Sequence, residues 1–354
     1  MMDEQNVSGH DDPAQTIQTL PLVVGVDLGG TQIRSAVLRG ATLLSRVSLL
    51  TGERPSPDRV VPRMIQAVEQ SLSEAGVTLE QISGLGIGAP GPLNGHTGVV
   101  FCPPNLPGWY DVPLVSLFQK HFSIPIFLEN DANAAALGEQ MFGAGRGSQE
   151  IVYITISTGI GGGVITNGKI LRGLIGTAAE LGHMTVDLHG PRCNCGNIGC
   201  LESITSGTAI AHRANERIAL GQAEGLLTFA LTHQPPEPAT DTPFDVAHAS
   251  PMHVNARTVA LAAEAGIPEA RAIIAEAAEA LGAGLVNIAH IFNPEIIILG
   301  GGVSQIGAPL LDPARHIFQE RTMRVPRDAA RIVMAELGSD AGLVGAGALV
   351  YYHQ

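Results

Sequence analysis

Hydrophobic residues along the chain follow two different periods, one typical of β-strands and one typical of α-helices. Residues 21–50 form short hydrophobic runs separated by glycine-containing turns, which predicts three consecutive strands. Residues 60–75 carry hydrophobic positions at three- and four-residue spacing, which predicts a helix. Strands are predicted again at 82–90 and 124–131, followed by a helix of strong helix formers at 132–143.

The plan of the first strands is repeated from Ile151 onward. In both places a hydrophobic strand leads into a glycine-rich turn, a second strand, a short turn and a third strand, and the patterns align when Gly29 is matched with Gly159. Because the unit occurs twice, it is an internal duplication rather than a solenoid. Strands that alternate with helices indicate an α/β protein. The remaining predicted elements are two helical stretches, a third strand with a glycine turn, and a terminal helix of small residues: 205–234, 257–292, 295–302 and 340–351.

The amino-acid composition limits the classes of molecule that this protein is expected to bind. The chain has 33 acidic and 20 basic residues, a formal net charge of −13, which repels nucleic-acid phosphates and anionic lipids. Neither nucleic acid nor a membrane is therefore expected as a main partner. A length of 354 residues predicts two domains or one large bilobed domain. There is no run of 18 uncharged hydrophobic residues and the first basic residue is Arg34, so neither a transmembrane helix nor a secretory signal is expected.

One histidine and three cysteines have the spacing of a metal site. His183, Cys193, Cys195 and Cys200 follow the pattern H-x9-C-x-C-x4-C. Three thiolates and one imidazole complete a tetrahedral zinc site with no open position, which predicts structural zinc. Three cysteines within eight residues do not make a disulfide framework, so a reducing compartment, the cytoplasm, is expected. Cys102 stands apart and is predicted to be a small buried hydrophobic residue.

Two glycine turns are candidates for binding phosphate. In the first, DLGGT, Gly29 and Gly30 let backbone N–H groups converge on an anion, and Asp27 could hold magnesium directly or through water. An ordinary hairpin turn that contains an aspartate is the alternative. The second turn, STGIGGG at 157–163, favours the phosphate interpretation, because two such turns on duplicated units can grip one polyphosphate.

Carboxylates near these turns have two possible roles each. Asn130 and Asp131 stand where a strand ends and a helix begins, so Asp131 is either a helix N-cap, worth about 1 kcal/mol, or a general base for a hydroxyl group. The segment by itself favours the N-cap. Glu180 and Glu202 lie on either side of the metal loop, the segment 183–200 that carries the four candidate metal ligands. Each glutamate is either a solvated surface acid or an acceptor for the hydroxyl groups of a polyol.

Eight segments of the chain carry motifs that occur together in one known protein family, and in chain order they are DLGGTQIR, GIGAPGPLNG, PNLPGW, LENDANAAALGE, STGIGGGVITNGKILRG, AELGHM, CNCGNIGCLE and IILGGGVS. On these motifs the chain resembles the ROK family of sugar kinases and repressors, and most of all its bacterial glucokinase branch. The resemblance covers essentially residues 22–352. It implies an α/β, actin-like or hexokinase-type fold, with two lobes of duplicated ribonuclease-H-like units and an interlobe cleft.

The resemblance also implies a division of the chain and a set of site residues. The implied parts are a small α/β lobe (21–130), a large α/β lobe (131–335) with the zinc loop (183–200), and a C-terminal helix (336–354) that packs back on the small lobe. Local composition separately predicts a disordered, polar tail (1–20) and an exposed Pro-rich excursion (234–251). The expected sugar-binding residues are Gly91, Asn105, Asn130, Asp131, Glu180, His183 and Glu202. The expected ATP-binding residues are Asp27, Gly29, Gly30, Thr31 and Gln32, then Thr158, Gly159, Gly161 and Gly162, then Gly300, Gly301 and Gly302 beside adenosine.

Some of these roles are more specific. Asp131 would be the catalytic base, and His183 would ligate zinc through one ring nitrogen and meet the sugar through the other. Two positions depart from the family pattern: Gln32 stands where many members have Lys or Asn, and Ala179 replaces a common Gly, adding a methyl group to its turn. Neither change is expected to abolish catalysis.

The implied reaction is transfer of the γ-phosphoryl group of magnesium-ATP to the 6-hydroxyl of glucose. The alternatives are another hexose (N-acetylmannosamine, N-acetylglucosamine, fructose or allose), polyphosphate as the donor, or a catalytically inactive sugar-binding scaffold. A sugar-sensing repressor of the same family is a further alternative, but the 26 residues before Asp27 contain no Lys or Arg, whereas a DNA-binding segment needs a basic surface. A homodimer or homotetramer is expected from the resemblance.

Overall fold

The computed structural model describes residues 19–233 and 254–354. Two large β-sheets, a separate two-stranded β-sheet and flanking helices make up these residues. The predicted disordered tail, 1–20, lies outside the described residues except for its last two positions. The Pro-rich excursion at 234–251 lies wholly outside them.

The first sheet is built from the N-terminal strands. Its members, with the small pair β6 and β7 beside it, are β1 (Leu22–Leu28), β2 (Gln32–Arg39), β3 (Thr42–Leu43), β4 (Val47–Leu50), β5 (Ile82–Ala89), β6 (Leu93–Asn94), β7 (Val99–Val100) and β8 (Ile126–Asn130). The order across the sheet is β3-β2-β1-β5-β8, and β4 pairs with β2. β1 and β2 are antiparallel, whereas β1, β5 and β8 are parallel.

The second sheet repeats this arrangement. Its strands are β9 (Ile151–Ile156), β10 (Ile160–Thr166), β11 (Lys169–Ile170), β12 (Ile296–Gly300) and β13 (Arg331–Met334). The order is β11-β10-β9-β12-β13, with β9 and β10 antiparallel and β9, β12 and β13 parallel. The shared order and strand directions confirm the predicted internal duplication. Because parallel strands end at the same edge, the glycine turns after β9 and β12 lie side by side.

Helices cover both sheets and fill the space between them. They are α1 (Pro57–Ala75), α2 (Leu114–Gln119), α3 (Asp131–Phe142), α4 (Glu202–Thr205), α5 (Gly207–Ala219), α6 (Glu224–His233), α7 (Ala256–Glu264), α8 (Pro268–Phe292), α9 (Ala308–Arg321), α10 (Arg324–Ala329) and α11 (Ala341–Tyr352). The two long helical stretches predicted from the sequence are interrupted near Gly221 and Gly266. Both glycines have left-handed φ angles, 69° and 92°, which end a helix.

The C-terminal helix α11 returns to the first sheet. It packs on β1 and β5 and against α3, and α3 in turn packs on β9 and β10, so these two helices form a layer between the sheets. Glycines make room for the contact: a Cβ atom at Gly86 would lie 1.8 Å from the carbonyl oxygen of Ala346. A helix buried on all sides needs no polar face, which explains its uniformly small, apolar sequence. We propose that α11 belongs to the N-terminal lobe, although it begins at Ala341 and not near 336, because a 3₁₀ turn at Gly338–Asp340 precedes it.

Helix α8 is the longest of the described helices and is part of the core of the second half. Length and composition alone would allow it to cross a membrane, but 67% of its most hydrophobic stretch is buried within the protein. Its buried positions pack against α7, α9 and α4. Such burial is typical of a helix in a protein core.

Candidate active site

The junction between β8 and α3 places an aspartate at the start of a helix. The N-cap of α3 is Asn130, whose side-chain oxygen accepts hydrogen bonds from the N–H groups of Ala132 at 3.0 Å and Asn133 at 3.3 Å. The N-cap interpretation of Asp131 is therefore wrong by one residue. Asp131 is the first helical residue, and its carboxylate accepts only the adjacent Ala132 N–H among the described residues, at 2.8 Å.

The surroundings of Asp131 change its acidity. Burial, and then the negative charge of Asp27, raise the pKa of Asp131 from 3.8 to about 7; the Ala132 N–H opposes the shift and Glu180 adds to it. Burial also raises the pKa of Glu180, with His183 opposing the shift. A carboxylate with a pKa near neutrality is suited to accept a proton from a hydroxyl group.

Asp131 lines a cavity that is open to solvent. Gly91 lies beside two polar groups of this cavity. A Cβ atom at Gly91 would be 3.2 Å from Asn130 Nδ2 and 3.9 Å from Glu180 Oε1. Four residues of the predicted sugar-binding set therefore come together. The full lining consists of Gly91, Pro92, Leu93, Asn130, Asp131, Gly161, Gly162, Gly176, Thr177, Ala178, Ala179 and Glu180.

Asn105, also predicted to bind sugar, lies beside the first glycine turn and does not line this cavity. A Cβ atom at Gly30 would be 3.5 Å from Asn105 Nδ2. Within the turn, the N–H of Gly29 donates to the carbonyl oxygen of Gln32 at 2.8 Å and is not free to bind phosphate. In the described part of the chain, the N–H groups of Gly30 and Thr31 have no acceptor. They are the two donors that this turn offers to an anion.

Asp27 at the end of β1 is paired with an arginine that the sequence analysis did not identify. Arg34 lies opposite Asp27 in the β1–β2 register. Its Nε donates to Asp27 Oδ2 at 3.0 Å, its Nη2 donates to the same oxygen, and its Nη1 donates to the carbonyl oxygen of Ser339 at 2.7 Å. Asp27 Oδ1 accepts no hydrogen bond from any described residue, so it remains available to a cation. The antiparallel hairpin around the glycine turn was the signal that could have revealed this partner.

The second glycine turn is held by residues that follow the metal loop. Glu202 Oε2 accepts the N–H of Ile160 at 2.8 Å, and the hydroxyl of Thr208 donates to the carbonyl oxygen of Thr158 at 2.8 Å. Glu202 is therefore not a solvated surface acid. A Cβ atom at Gly159 would lie 2.6 Å from the same Glu202 oxygen, which explains the glycine. The N–H groups of Thr158 and Gly159 have no acceptor among residues 19–233 and 254–354.

The other predicted phosphate glycines have packing roles. Gly161 and Gly162 belong to β10 and line the cavity of Asp131; a Cβ atom at Gly161 would lie 3.2 Å from the Ala132 methyl group. Gly301 has a φ of 86°, and a Cβ atom there would lie 2.2 Å from the Ile156 carbonyl oxygen. The turn of Gly300, Gly301 and Gly302 therefore lies directly against the end of β9, beside the second glycine turn.

The four predicted metal ligands lie close together. His183 Nδ1 and the sulfur atoms of Cys193, Cys195 and Cys200 are all within 4.8 Å of one another. Cys193 Sγ is 3.6 Å from His183 Nδ1, and Cys195 Sγ is 3.7 Å from Cys200 Sγ. Tetrahedral zinc predicts separations of about 3.6 Å for nitrogen–sulfur pairs and about 3.8 Å for sulfur–sulfur pairs. The donor set and its spacing fit zinc, and Nδ1 is the nitrogen that would bind it.

Ala179 adopts a backbone conformation that favours glycine. Its φ is 67°, in the left-handed region where the Cβ atom of an L-residue crowds the following carbonyl group. The residue lines the cavity immediately before Glu180. The methyl group noted in the sequence therefore strains the turn that presents this glutamate.

Cys102 is exposed, and the expectation that it is a buried hydrophobic residue is wrong. It belongs to the segment between β7 and Asn105, where two prolines follow and no regular element forms. Without a strand or helix to direct it inward, the thiol stays at the surface.

The duplicated sheets, the glycine turns at their edges and the carboxylate cavity together define a two-lobed α/β protein of the actin-like, hexokinase-type fold. Over residues 23–352 the sequence matches the ROK family, and the chain belongs to that family. It is 36% identical over 331 residues to the glucokinase of Halalkalibacterium halodurans, covering 92% of this chain and 94% of the relative. The ROK family glucokinase of Streptomyces griseus, solved in complex with glucose and AMPPNP, is 34% identical with a TM-score of 0.76, covering 94% and 99% of the two chains. The chain is also 30% identical to the xylose repressor of Caldicellulosiruptor bescii, over 93% of this chain and 77% of the repressor.

Proposed function

We propose that this protein is a glucokinase, which transfers the γ-phosphoryl group of ATP to the 6-hydroxyl of glucose. The observation that carries the proposal is the position of Asp131, whose raised pKa of about 7 suits a general base and whose side chain faces a polar cavity beside two glycine turns. The names of the curated relatives and the complex of the Streptomyces griseus protein with glucose and AMPPNP support both substrates.

The residues of the cavity suggest how the sugar is held and activated. Asn130 and Glu180, which both lie beside Gly91, hydrogen-bond to ring hydroxyl groups of glucose. Asp131 accepts the proton of the glucose 6-hydroxyl. The oxygen of that hydroxyl group then bonds to the γ-phosphorus of ATP, while the bond from this phosphorus to the ADP oxygen breaks. The proton then resides on the Asp131 carboxylate until it is released to solvent.

The two glycine turns offer backbone N–H groups to the phosphate groups of ATP. The N–H groups of Gly30 and Thr31 on one turn, and of Thr158 and Gly159 on the other, are available to phosphate oxygens. Magnesium, when bound with ATP, neutralises phosphate charge, and Asp27 Oδ1 is the atom placed to hold it directly or through water. Closure of the two lobes around the substrates would exclude water as a competing acceptor.

Zinc, held by His183 and the three cysteines, is proposed to have a structural role. The loop ends at Cys200, and two residues later Glu202 reaches the second glycine turn through the N–H of Ile160. His183 Nε2 is the ring nitrogen left for the sugar once Nδ1 binds the metal. The metal loop therefore supports both a sugar contact and the phosphate turn.

The proposal is tested by measuring ADP release from magnesium-ATP with D-glucose. N-acetylmannosamine, N-acetylglucosamine, mannose, fructose and allose serve as parallel acceptors, polyphosphate as an alternative donor, and Asp131→Ala as the blank. Turnover that is confined to glucose and lost in the variant is expected. Preference for another hexose would keep the kinase class and change the acceptor, whereas no turnover from folded, zinc-loaded protein with either donor would contradict the proposal.

The repressor relatives define a second candidate function, sugar sensing without catalysis. It predicts glucose binding without ADP release, together with DNA binding at physiological salt. A carboxylate poised near neutral pH is not required for binding a sugar, and this favours the kinase. A homodimer or homotetramer, tested by light scattering, is part of the same proposal.

A further inference from the structure

A buried ion pair lies beside the proposed glucose cavity and has no role in the reaction described above. The Nε of Arg172 donates to Glu129 Oε2 at 2.7 Å. The side chains are 16% and 1% exposed, respectively, so water screens the pair little. Neither residue lines the cavity. Because a buried ion pair contributes little net stability relative to apolar residues, its presence here suggests a different purpose.

Glu129 holds the strand end from which the catalytic aspartate projects. It is the residue before the N-cap of α3, and its second oxygen, Oε1, accepts the N–H of Asn130 and the side-chain amide of Asn133, both at 3.1 Å. These bonds fix the last residue of β8 and the first turn of α3 to one carboxylate. Asp131 lies between the two residues that Glu129 binds.

Arg172 holds the opposite wall of the cavity. It follows β11, and its carbonyl oxygen accepts the N–H of Ala178 at 3.1 Å, which closes the loop 172–178 at its base. Ala178 leads directly to Ala179 and Glu180, which line the cavity. The guanidinium carbon also lies 5.8 Å from the ring centroid of Tyr352 on α11, so the arginine is fixed from a second side.

We propose that Glu129 and Arg172 are a positioning pair that fixes the distance between Asp131 and Glu180 across the sugar cavity. The pair joins the strand that carries the base to the loop that carries a sugar contact, and it does so without touching the substrate. The inference rests on the proposed function, because it assigns the cavity to glucose. It predicts that disturbing the pair changes the use of glucose and leaves the use of ATP largely unchanged.

Three variants separate positioning from stability. Arg172→Met leaves the Glu129 carboxylate buried without its partner, whereas the double variant Glu129→Gln/Arg172→Met removes both charges. The control is Arg146→Met/Glu336→Gln, an ion pair whose members are 60% and 55% exposed. Thermal midpoint, KM for glucose, KM for ATP and calorimetric affinity for D-glucose are measured on each.

Arg172→Met is expected to lower the thermal midpoint and to raise the KM for glucose by about tenfold or more, because small displacements of reacting groups have large kinetic effects. The double variant is expected to recover most of the thermal midpoint, since no unpaired charge remains, and to keep the raised KM for glucose. The KM for ATP should stay within about twofold in both variants, because the glycine turns are untouched. The control should match the parent protein in all four measurements.

A double variant with the parent protein's glucose affinity would overturn the inference, because the pair would then act only on stability. Equal increases in the two KM values would overturn it as well. Failure of the proposed function is distinguishable: the parent protein would then phosphorylate no glucose. In that case calorimetry still tests the role assigned to the pair. The role is refuted if the double variant binds D-glucose with the same affinity as the parent protein, or if the parent protein gives no heat of glucose binding.

Discussion

Replacing the proposed catalytic base should stabilise the protein while abolishing its activity. The pKa of Asp131 is raised from 3.8 to about 7 in the folded protein, chiefly by burial. Because a pKa raised from 3.8 to about 7 disfavours the ionised form, the charged carboxylate costs up to about 4 kcal/mol of folding free energy. Asp131→Asn removes that charge and keeps an oxygen that can accept the Ala132 N–H.

The sign of the pH dependence follows from the direction of the shift. Between pH 4 and pH 7 the folded protein holds a proton on Asp131 that the unfolded chain has lost, so this residue's contribution to stability falls as pH rises. The free energy of unfolding of Asp131→Asn, relative to that of the parent protein, should therefore be about 3 kcal/mol higher at pH 8 than at pH 5. Above about pH 8 the difference should be constant.

Urea denaturation at both pH values measures this difference, and comparing two proteins at each pH cancels the titration of all other groups. Asp312→Asn, which changes a carboxylate that is 67% exposed, is the matched control and should show no such difference. The reasoning is refuted if Asp131→Asn has the same advantage at pH 5 and pH 8. It is refuted separately if the variant, folded and zinc-loaded, retains near-normal turnover.

Four further outcomes are expected. The value of kcat/KM for glucose should fall as pH drops through about 7 with a one-proton dependence, because the base must be ionised; a limb below pH 5 would contradict this. Ala179→Gly should raise the free energy of unfolding by about 1 kcal/mol, measured by urea denaturation, since it removes a left-handed alanine. Gly159→Ala should lower kcat/KM by about tenfold or more, because its Cβ atom would lie 2.6 Å from Glu202 Oε2; unchanged steady-state kinetics would show that this contact is dispensable. Chelation of zinc should increase hydrogen exchange in residues 190–202 and weaken glucose binding, so normal glucose affinity in zinc-free protein would disprove the coupling.

Much of the fold was already encoded in local sequence patterns. The duplication was visible because each copy carries its own strand–turn–strand pattern, and the two sheets have the same order and directions. The candidate metal ligands were visible because three of the four lie within one short loop, where spacing restricts geometry. The segment around Asp131 was identified for the same reason, since a strand end followed by helix formers is a local signal.

What the sequence left open depended on neighbours far away in the chain. From the sequence, Asp131 was either an N-cap or a general base, but in the folded protein the side chain of Asn130 caps the helix and Asp131 lines the cavity. Cys102 was misjudged because its exposure depends on the absence of a strand to direct it inward.

The sequence by itself determined the α/β class, the duplicated units, the candidate metal cluster and the residues on which the proposed site is built. Only the tertiary structure decided that Arg172 pairs with Glu129 across 43 positions and that α11 forms a layer with α3 between the two sheets. The physical reason is the range of each interaction. Periodicity, turn chemistry and ligand spacing act over a few residues, whereas strand register, buried ion pairs and helix packing join distant segments that meet only in the folded chain.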